Sequence, residues 1–212
     1  MEEALSRHAD EAYGELDARH QKIAERMFKA LTERGEDNRE IRRPATLGAL
    51  AAVADAGEDE VKTVIEKFRQ PGRSFLMPPA GTPLHSDTLI DISHESLIRV
   101  WEKLVKWVNE EAESATIYRR LAETAALHGK GEAELLGKLD LKPVLKWRKK
   151  NEPNPHWAAR YDSGLRYKSD LPAALAFLEA SRNHRLIEIA ERRRGRREKA
   201  EQAQRELAQA QA

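Results

Sequence analysis

The chain has 212 residues, and its 37 Lys and Arg against 36 Asp and Glu give a formal net charge of +1 at pH 7. This balance leaves no global field that would attract nucleic acid or an anionic membrane. The absence of cysteine excludes disulfides, thiolate nucleophiles and Cys-ligated zinc.

The pattern of the N-terminal residues does not predict a targeting signal. Residues 1–8 lack the charged-then-apolar order of a signal peptide, and no apolar run approaches the roughly 18 residues of a membrane span. We therefore expect a cytoplasmic protein without membrane contact. Residues 1–16 are polar with scattered apolar positions, and we interpret them as a linker or the end of a helix.

The next stretch predicts a helix followed by extended chain. Apolar residues at helical spacing predict a helix from residue 17 or 18 to about Arg34, with Gly35 as its stop. Pro44 disfavours helix at the residue before it, so residues 39–44 are predicted to be extended.

Two further helices and a hairpin are predicted up to residue 94. Thr46 suits the N-cap of a helix that ends near Gly57, and a third helix is predicted from about residue 58 to residue 69. Strands are predicted at 74–77 and 88–92, joined by a segment rich in Pro and Gly. The order is helix, short strand, helix, helix, strand, turn, strand, which is that of a winged-helix domain.

The segment after the last strand is predicted to begin a helix at Ser93. Ser93 can cap this helix, with Glu95 in its first turn, and an apolar face follows at Leu97, Trp101, Leu104 and Val108. His94 lies where strand meets helix, beside backbone N–H groups that suit a phosphate. The phosphate-sensing interpretation of His94 competes with that of a histidine satisfied by local contacts.

Everything after this point is predicted to be helical. The helix continues over 114–128, breaks at Gly129 to Gly131, and is followed by a helical turn at 133–136 and a helix capped by Asp140. Pro155 suits the start of a short helix, and a long helix begins at about Asp170. We therefore predict a mainly α fold with a small β-hairpin, divided into an N-terminal linker, a winged helix, a helical arm and a long charged C-terminal helix: 1–16, 17–94, 95–170 and 171–212.

No catalytic motif is complete. His94 begins an HExxH-like pattern, but Ile98 stands where a second zinc-binding His is required. Gly131 to Leu139 resembles a Walker A loop, but its spacing is one residue too long and Leu139 cannot supply a hydroxyl to magnesium. We expect no catalytic residue and no metal site in this chain, and therefore no enzyme activity of its own.

DNA binding is the first alternative that a winged helix suggests. The helix predicted over 58–69 carries four acids against three bases, whereas a helix in the major groove is normally net positive. Arg42, Arg43 and Arg73 would supply nucleic-acid contacts in this alternative, in which the chain is a transcriptional regulator. Its acidic third helix disfavours nucleic acid. The third hypothesis is that the chain is a helical adaptor that binds another protein through its Trp-rich arm.

Several blocks of residues resemble the region that follows the ATPase core in the novel STAND NTPases, bacterial nucleotide switches of signal transduction. These blocks extend over about residues 11–185 and include Ile92-Ser-His-Glu-Ser-Leu-Ile-Arg-x-Trp101, Phe68-Arg-x-Pro-Gly-Arg-Ser-Phe-Leu-Met-Pro78, Trp157-Ala-x-Arg-Tyr161 and Phe177-Leu-Glu-Ala-Ser181.

The resemblance implies a regulatory module without its ATPase core. In that family a P-loop ATPase domain precedes the winged helix, and the histidine equivalent to His94 contacts the β-phosphate of bound ADP. Sensor repeats follow the long helix. The expected partners are therefore the ATPase domain and sensor repeats of the same protein, together with other proteins or further copies of itself. Walker A and Walker B segments are both missing here, so we expect no cofactor in this chain alone and ADP or ATP in the full-length protein.

Overall fold

The computed structural model describes residues 2–35, 39–162 and 170–210. The chain is mainly helical, with small antiparallel sheets and a long C-terminal helix, as the sequence predicted. It divides into two compact units, one comprising Met1–Arg119 with Pro153–Gly164 and the other Arg120–Glu152 with Leu165–Ala212. In the described residues no helix has the length and apolar character needed to cross a membrane.

The described residues of the first unit form helices α1 to α5, the N-terminal part of α6, helix α8 and five short strands. In chain order these are α1 (Glu2–Gly14), α2 (Ala18–Ala30), β1 (Thr32–Arg34), β2 (Glu40–Arg42), β3 (Ala45–Thr46), α3 (Leu47–Ala54), α4 (Glu58–Arg69), β4 (Leu76–Met77), β5 (Leu89–Ile92), α5 (Ser96–Val100), α6 (Glu102–Gly129) and α8 (Pro155–Asp162). Strands β1 and β2 form an antiparallel pair, and a second antiparallel sheet has the order β3-β5-β4.

Side-chain caps start the helices where the sequence predicted them. The Asp17 carboxylate accepts a hydrogen bond from the His20 amide at 2.8 Å, and the Thr46 hydroxyl accepts one from the Ala49 amide at 3.2 Å. Each bond satisfies an amide that the first helical turn leaves without a partner. The predicted third helix is confirmed as α4, whose first turn is acidic and therefore suits the helix dipole.

An aromatic cluster forms the core of this unit. The rings of Phe28 and Phe68 meet edge to face with centroids 4.8 Å apart, and Trp101 packs against Phe28 at 5.1 Å and against Trp107 at 5.3 Å. The Trp101 indole N–H donates to the Asp10 carboxylate on α1 at 2.9 Å. Aromatic side chains bury large apolar areas, so this cluster joins α1, α2, α4 and α6 into one core.

The end predicted for the helix that starts at residue 17 or 18 is wrong. Helix α2 ends at Ala30 instead of near Arg34, because Thr32–Arg34 pairs with Glu40–Arg42 as a strand. Apolar spacing detected the helix but not this non-local pairing.

The predicted single helix starting at Ser93 is also wrong. The Ser93 hydroxyl does not cap a helix but donates to the Ser74 carbonyl at 2.6 Å, and Glu95 occupies the N-cap position. At Trp101 the backbone is extended (φ −80°, ψ 98°), which separates α5 from α6. This break lets the Trp101 side chain become fully buried.

The second unit contains the C-terminal part of α6, together with α7 (Lys138–Asn151) and α9 (Leu171–Ala210). The predicted helical turn at 133–136 is absent, and Gly137 rather than Asp140 is the N-cap of α7. Asp170 does start the long helix, since its carboxylate accepts from the Ala173 amide at 2.8 Å. Only the first turns of α9 bury apolar side chains, at Leu171, Ala174, Phe177 and Leu178. The remainder of α9 is therefore largely solvated.

Candidate functional site

The loop between β5 and α5 holds His94. Strand β5 is the central strand of its sheet, pairing Ile90 with Ala45 on β3 and Ile92 with Leu76 on β4. Ile90 and Ile92 are fully buried, and so are the side chains of Leu97 and Ile98 on α5. Buried residues on both sides therefore fix the backbone on which His94 stands.

The His94 side chain itself is exposed. Its carbonyl accepts the Leu97 amide at 3.0 Å, but no described residue forms a hydrogen bond or ion pair with its imidazole. Helix α5 has five residues, so the helix dipole expected to assist phosphate binding is small. What the junction presents is a positioned imidazole whose nitrogens are free to bind.

Arg42 lies beside the strand that leads to His94. Its guanidinium donates to the Asp91 carboxylate at 2.9 Å and to the Ile92 carbonyl at 3.1 Å. A surface cavity of about 270 Å³ is lined here by Ile41, Arg42, Pro44, Asp91 and Glu95. Arg42 is therefore already occupied, and its charge is compensated within this cavity.

Arg43 and Arg73 pair with other carboxylates than Arg42 does. Arg43 lies 3.2 Å from the Glu33 carboxylate, and the Arg73 guanidinium donates to Glu15 at 3.0 Å. The guanidinium of Arg73 keeps the pKa of the Glu15 carboxyl at about 2. Each of the three arginines thus has a carboxylate partner, and a nucleic-acid phosphate would have to compete with it.

A buried polar cluster centred on Glu111 was missed by the sequence analysis. One carboxylate oxygen of Glu111 accepts the Trp157 indole N–H at 2.7 Å and the Tyr161 hydroxyl at 2.5 Å. Glu111 shares a face of α6 with Trp107, Val108 and Tyr118, which are all buried. A carboxylate inside an otherwise apolar helical face is the signal that could have found this cluster.

Burial controls the ionisation of this cluster. It raises the pKa of Tyr161 above its usual range, and the neighbouring Glu111 carboxylate adds to this effect because it opposes a second negative charge. Burial also lowers the pKa of Arg160, since the charged guanidinium loses hydration. Tyr161 is therefore a neutral donor to Glu111. The described residues contain no group of three or more His, Asp or Glu side chains able to hold a metal ion.

Comparison with protein families gives a match to part of the chain. A family model described as Novel STAND NTPase 1 matches residues 1–134. This range includes both the β5–α5 junction with His94 and the part of α6 that carries Glu111. No curated protein and no solved structure matches the chain. Because the family model covers more than half of the 212 residues, the chain belongs to the novel STAND NTPase 1 family.

Proposed function

We propose that this chain is a non-catalytic regulatory and linker module of a STAND-type signalling ATPase. In this proposal a P-loop domain of the same protein binds and hydrolyses the nucleotide. The chain docks on that domain in the ADP state and swings away when ATP binds. The observation that carries the proposal is the family match over residues 1–134, which includes the positioned and unpartnered His94.

The order of elements supports a winged helix within residues 17–94. Helix α2 is followed by the β1–β2 pair and then by β3, α3, α4, β4 and β5, and β3 and β4 both pair with β5 in antiparallel fashion. Helices α3 and α4 are joined by a tight turn in which Asp55 adopts the left-handed conformation (φ 55°). A helix-turn-helix with a three-stranded sheet fits the fold that the resemblance implies.

In the proposed mechanism His94 recognises the phosphate of bound ADP. An imidazole N–H directed at a phosphate oxygen forms a charge-assisted hydrogen bond, which is about twice as strong as a neutral one. The exposure of His94 and its lack of a side-chain partner support this role, because no internal bond has to break first. ADP would then favour the docked state by the free energy of this contact.

The remaining parts transmit the motion. Residues 95–170 serve as the helical arm, and residues 171–212 serve as a lever or spacer towards downstream sensor repeats. The solvated length of α9 supports this assignment, since beyond Ser181 its side chains are mostly exposed or half-buried. Such a helix spans distance without needing a core of its own.

The test is binding of this chain to the P-loop domain of its own protein, measured by calorimetry with ADP and with ATP. We expect binding with ADP to be about tenfold tighter than with ATP, which corresponds to about 1.4 kcal/mol. His94→Ala should remove the difference. His85→Ala is the matched control, because His85 is also exposed and uses only its backbone in the hydrogen bonds with Thr88. Equal affinities with both nucleotides would contradict the proposal.

A DNA-binding regulator is the alternative from a different class. It would use α4 in the major groove, but the first turn of α4 carries Glu58, Asp59 and Glu60. Fluorescence anisotropy with duplex DNA at low salt separates the two proposals. An anisotropy that does not change as protein is added excludes the DNA-binding hypothesis. Binding that weakens steeply with salt and is lost on Arg42→Ala or Arg73→Ala would favour it.

A further inference from the structure

The first unit contains a second cavity of about 530 Å³, separate from the β5–α5 junction. Strand β1, together with Gly35 and Arg43, forms one wall, α6 the second, and the end of α8 the third. Its charged lining consists of four arginines and two glutamates: Arg34, Arg43, Arg119, Arg160, Glu33 and Glu111. The lining therefore carries two more positive than negative charges.

Two of the four arginines are compensated by neighbouring acids. Arg43 lies 3.2 Å from Glu33, and Arg34 lies 3.6 Å from Glu40. Glu111 is already committed to Trp157 and Tyr161. Arg119 and Arg160 are the two arginines of the lining that remain after these pairs, and together with the Glu111 carboxylate they leave a net charge of +1.

Arg160 has a buried donor with no acceptor. One of its terminal nitrogens, Nη2, donates to the Ala30 carbonyl at 2.7 Å. The other, Nη1, is buried without a hydrogen-bond partner among the described residues and lies 4.0 Å from the Glu111 carboxylate. The Arg160 side chain is only 11% exposed. A buried charged donor without an acceptor is destabilising, so this atom needs an oxygen that the chain does not supply.

Arg119 converges on the same place. Its guanidinium lies over the Tyr161 ring at 5.4 Å from the centroid, and the Arg160 guanidinium lies 5.7 Å from that centroid. No described residue forms an ion pair with Arg119. Tyr161 donates its hydroxyl to Glu111 and thus serves these two arginines as an aromatic platform. The guanidinium groups of Arg119 and Arg160 thus lie near the same Tyr161 ring, and each has N–H donors that no described residue accepts. Such a pair of planar donors suits an oxyanion with several oxygens.

We infer that this cavity binds a phosphate group, either as inorganic phosphate or as a small phosphate monoester. Two guanidinium groups donate to several oxygens at once, which suits the three acceptor oxygens of a phosphate monoester better than the two oxygens of a carboxylate. The volume lies in the usual range of small-molecule sites, about 300–1,000 Å³, and leaves room for an attached organic group. The phosphate accepts from Arg160 Nη1 and from Arg119. This site is independent of His94 and of the proposed nucleotide switch.

The test is calorimetric titration of the 212-residue chain with inorganic phosphate, adenosine monophosphate and acetate at constant ionic strength. We expect saturable binding of phosphate or of the monoester and none of acetate. If the monoester binds more tightly than inorganic phosphate, the cavity also holds the organic group. Failure of both phosphates to bind would overturn the inference.

Two variants assign the binding to this cavity. Arg119→Gln should weaken phosphate binding about tenfold, because it removes a charged donor while leaving an exposed position polar. Arg120→Gln is the matched control, since Arg120 is the adjacent exposed arginine and lies outside the cavity lining. The affinity of this variant for phosphate should stay within about twofold of the wild type. Equal losses in both variants would show non-specific attraction and overturn the site. Binding of an acidic peptide that competes with phosphate and exceeds its affinity would also overturn the inference, because the natural ligand would then be a protein.

Discussion

The β5–α5 junction and the Arg160 cavity lie in the same unit but are built in different ways. The junction is formed by consecutive residues, and its His94 is exposed and has no side-chain partner among the described residues. The cavity brings together β1 with Arg43, the middle of α6 and the end of α8, which are far apart in the sequence. Its central carboxylate, Glu111, is buried and holds two donors.

This difference indicates which side chains can be replaced without loss of stability. An exposed side chain without partners can be replaced at little cost to the fold, whereas a buried charged group supports the packing around it. Substitution of Glu111 in the cavity should therefore lower the free energy of unfolding strongly, whereas substitution of His94 should leave it nearly unchanged.

Glu111→Ala should give the largest loss of stability, about 3 kcal/mol. It removes the acceptor for the Trp157 indole and the Tyr161 hydroxyl and leaves the Arg160 charge without its nearby carboxylate. Urea denaturation followed by circular dichroism measures the change. Glu113→Ala is the control on the same helix, because Glu113 is exposed, and it should change the free energy of unfolding by less than about 0.5 kcal/mol. Equal effects of the two substitutions would contradict the conclusion that Glu111 stabilises the buried cluster.

Asp10→Ala should cost about 1 kcal/mol in the free energy of unfolding. The substitution leaves the indole N–H of the fully buried Trp101 without its acceptor, next to the break between α5 and α6. The same denaturation assay measures it. Glu11→Ala, at the next exposed position, should have a smaller effect, and the reverse order would show that the Asp10–Trp101 bond does not stabilise the junction.

The stability of the first unit should fall in acid. Hydrogen bonds from Arg73 to Glu15 and from Arg19 to Glu60 lower the pKa of each carboxyl from 4.5 to about 2. A lowered folded-state pKa means that the stabilisation is complete above the unfolded value and is lost as pH falls from about 4.5 towards 2. Midpoints of urea unfolding between pH 2 and pH 6 measure this loss. The double variant Glu15→Gln, Glu60→Gln should flatten the pH dependence, and an unchanged slope would contradict these assignments.

His94→Ala should have the smallest effect on stability, within about 0.5 kcal/mol of the wild type, as should His85→Ala. Both side chains are exposed and make no side-chain hydrogen bond with a described residue. Thermal unfolding of the two variants checks this expectation. A large loss for His94→Ala alone would mean that His94 has a structural role and would undermine its use as a phosphate sensor.

The sequence predicted the features that depend on neighbouring residues. The predicted Thr46 cap and the apolar spacing in α2 and α4 identified helices that the structure confirms. The break at Trp101 was not predictable, because the burial of its indole against Phe28 and Asp10 outweighs the local helical pattern. The end of α2 was missed for the same reason, since it depends on pairing with a strand beyond it.

The same distinction between neighbouring and distant contacts applies to the two sites. His94 was identified because strand, histidine and helix are adjacent in the chain, although the capping role of Ser93 was wrong. The Arg160 cavity was missed, because nothing in the sequence shows that α8 lies against α6 at Glu111. Sequence patterns report periodic and adjacent contacts, and a cavity built from three distant segments has no such pattern.

The most direct test of the proposed nucleotide switch is the dissociation rate of ADP from the protein that carries the P-loop domain together with this chain. Fluorescent ADP is displaced by excess unlabelled ADP, and the rate is compared for the wild type, His94→Ala and His85→Ala. We predict that ADP leaves His94→Ala about tenfold faster, because a charge-assisted hydrogen bond is lost, and that His85→Ala matches the wild type. Equal rates for all three proteins would contradict the role of His94 in holding ADP.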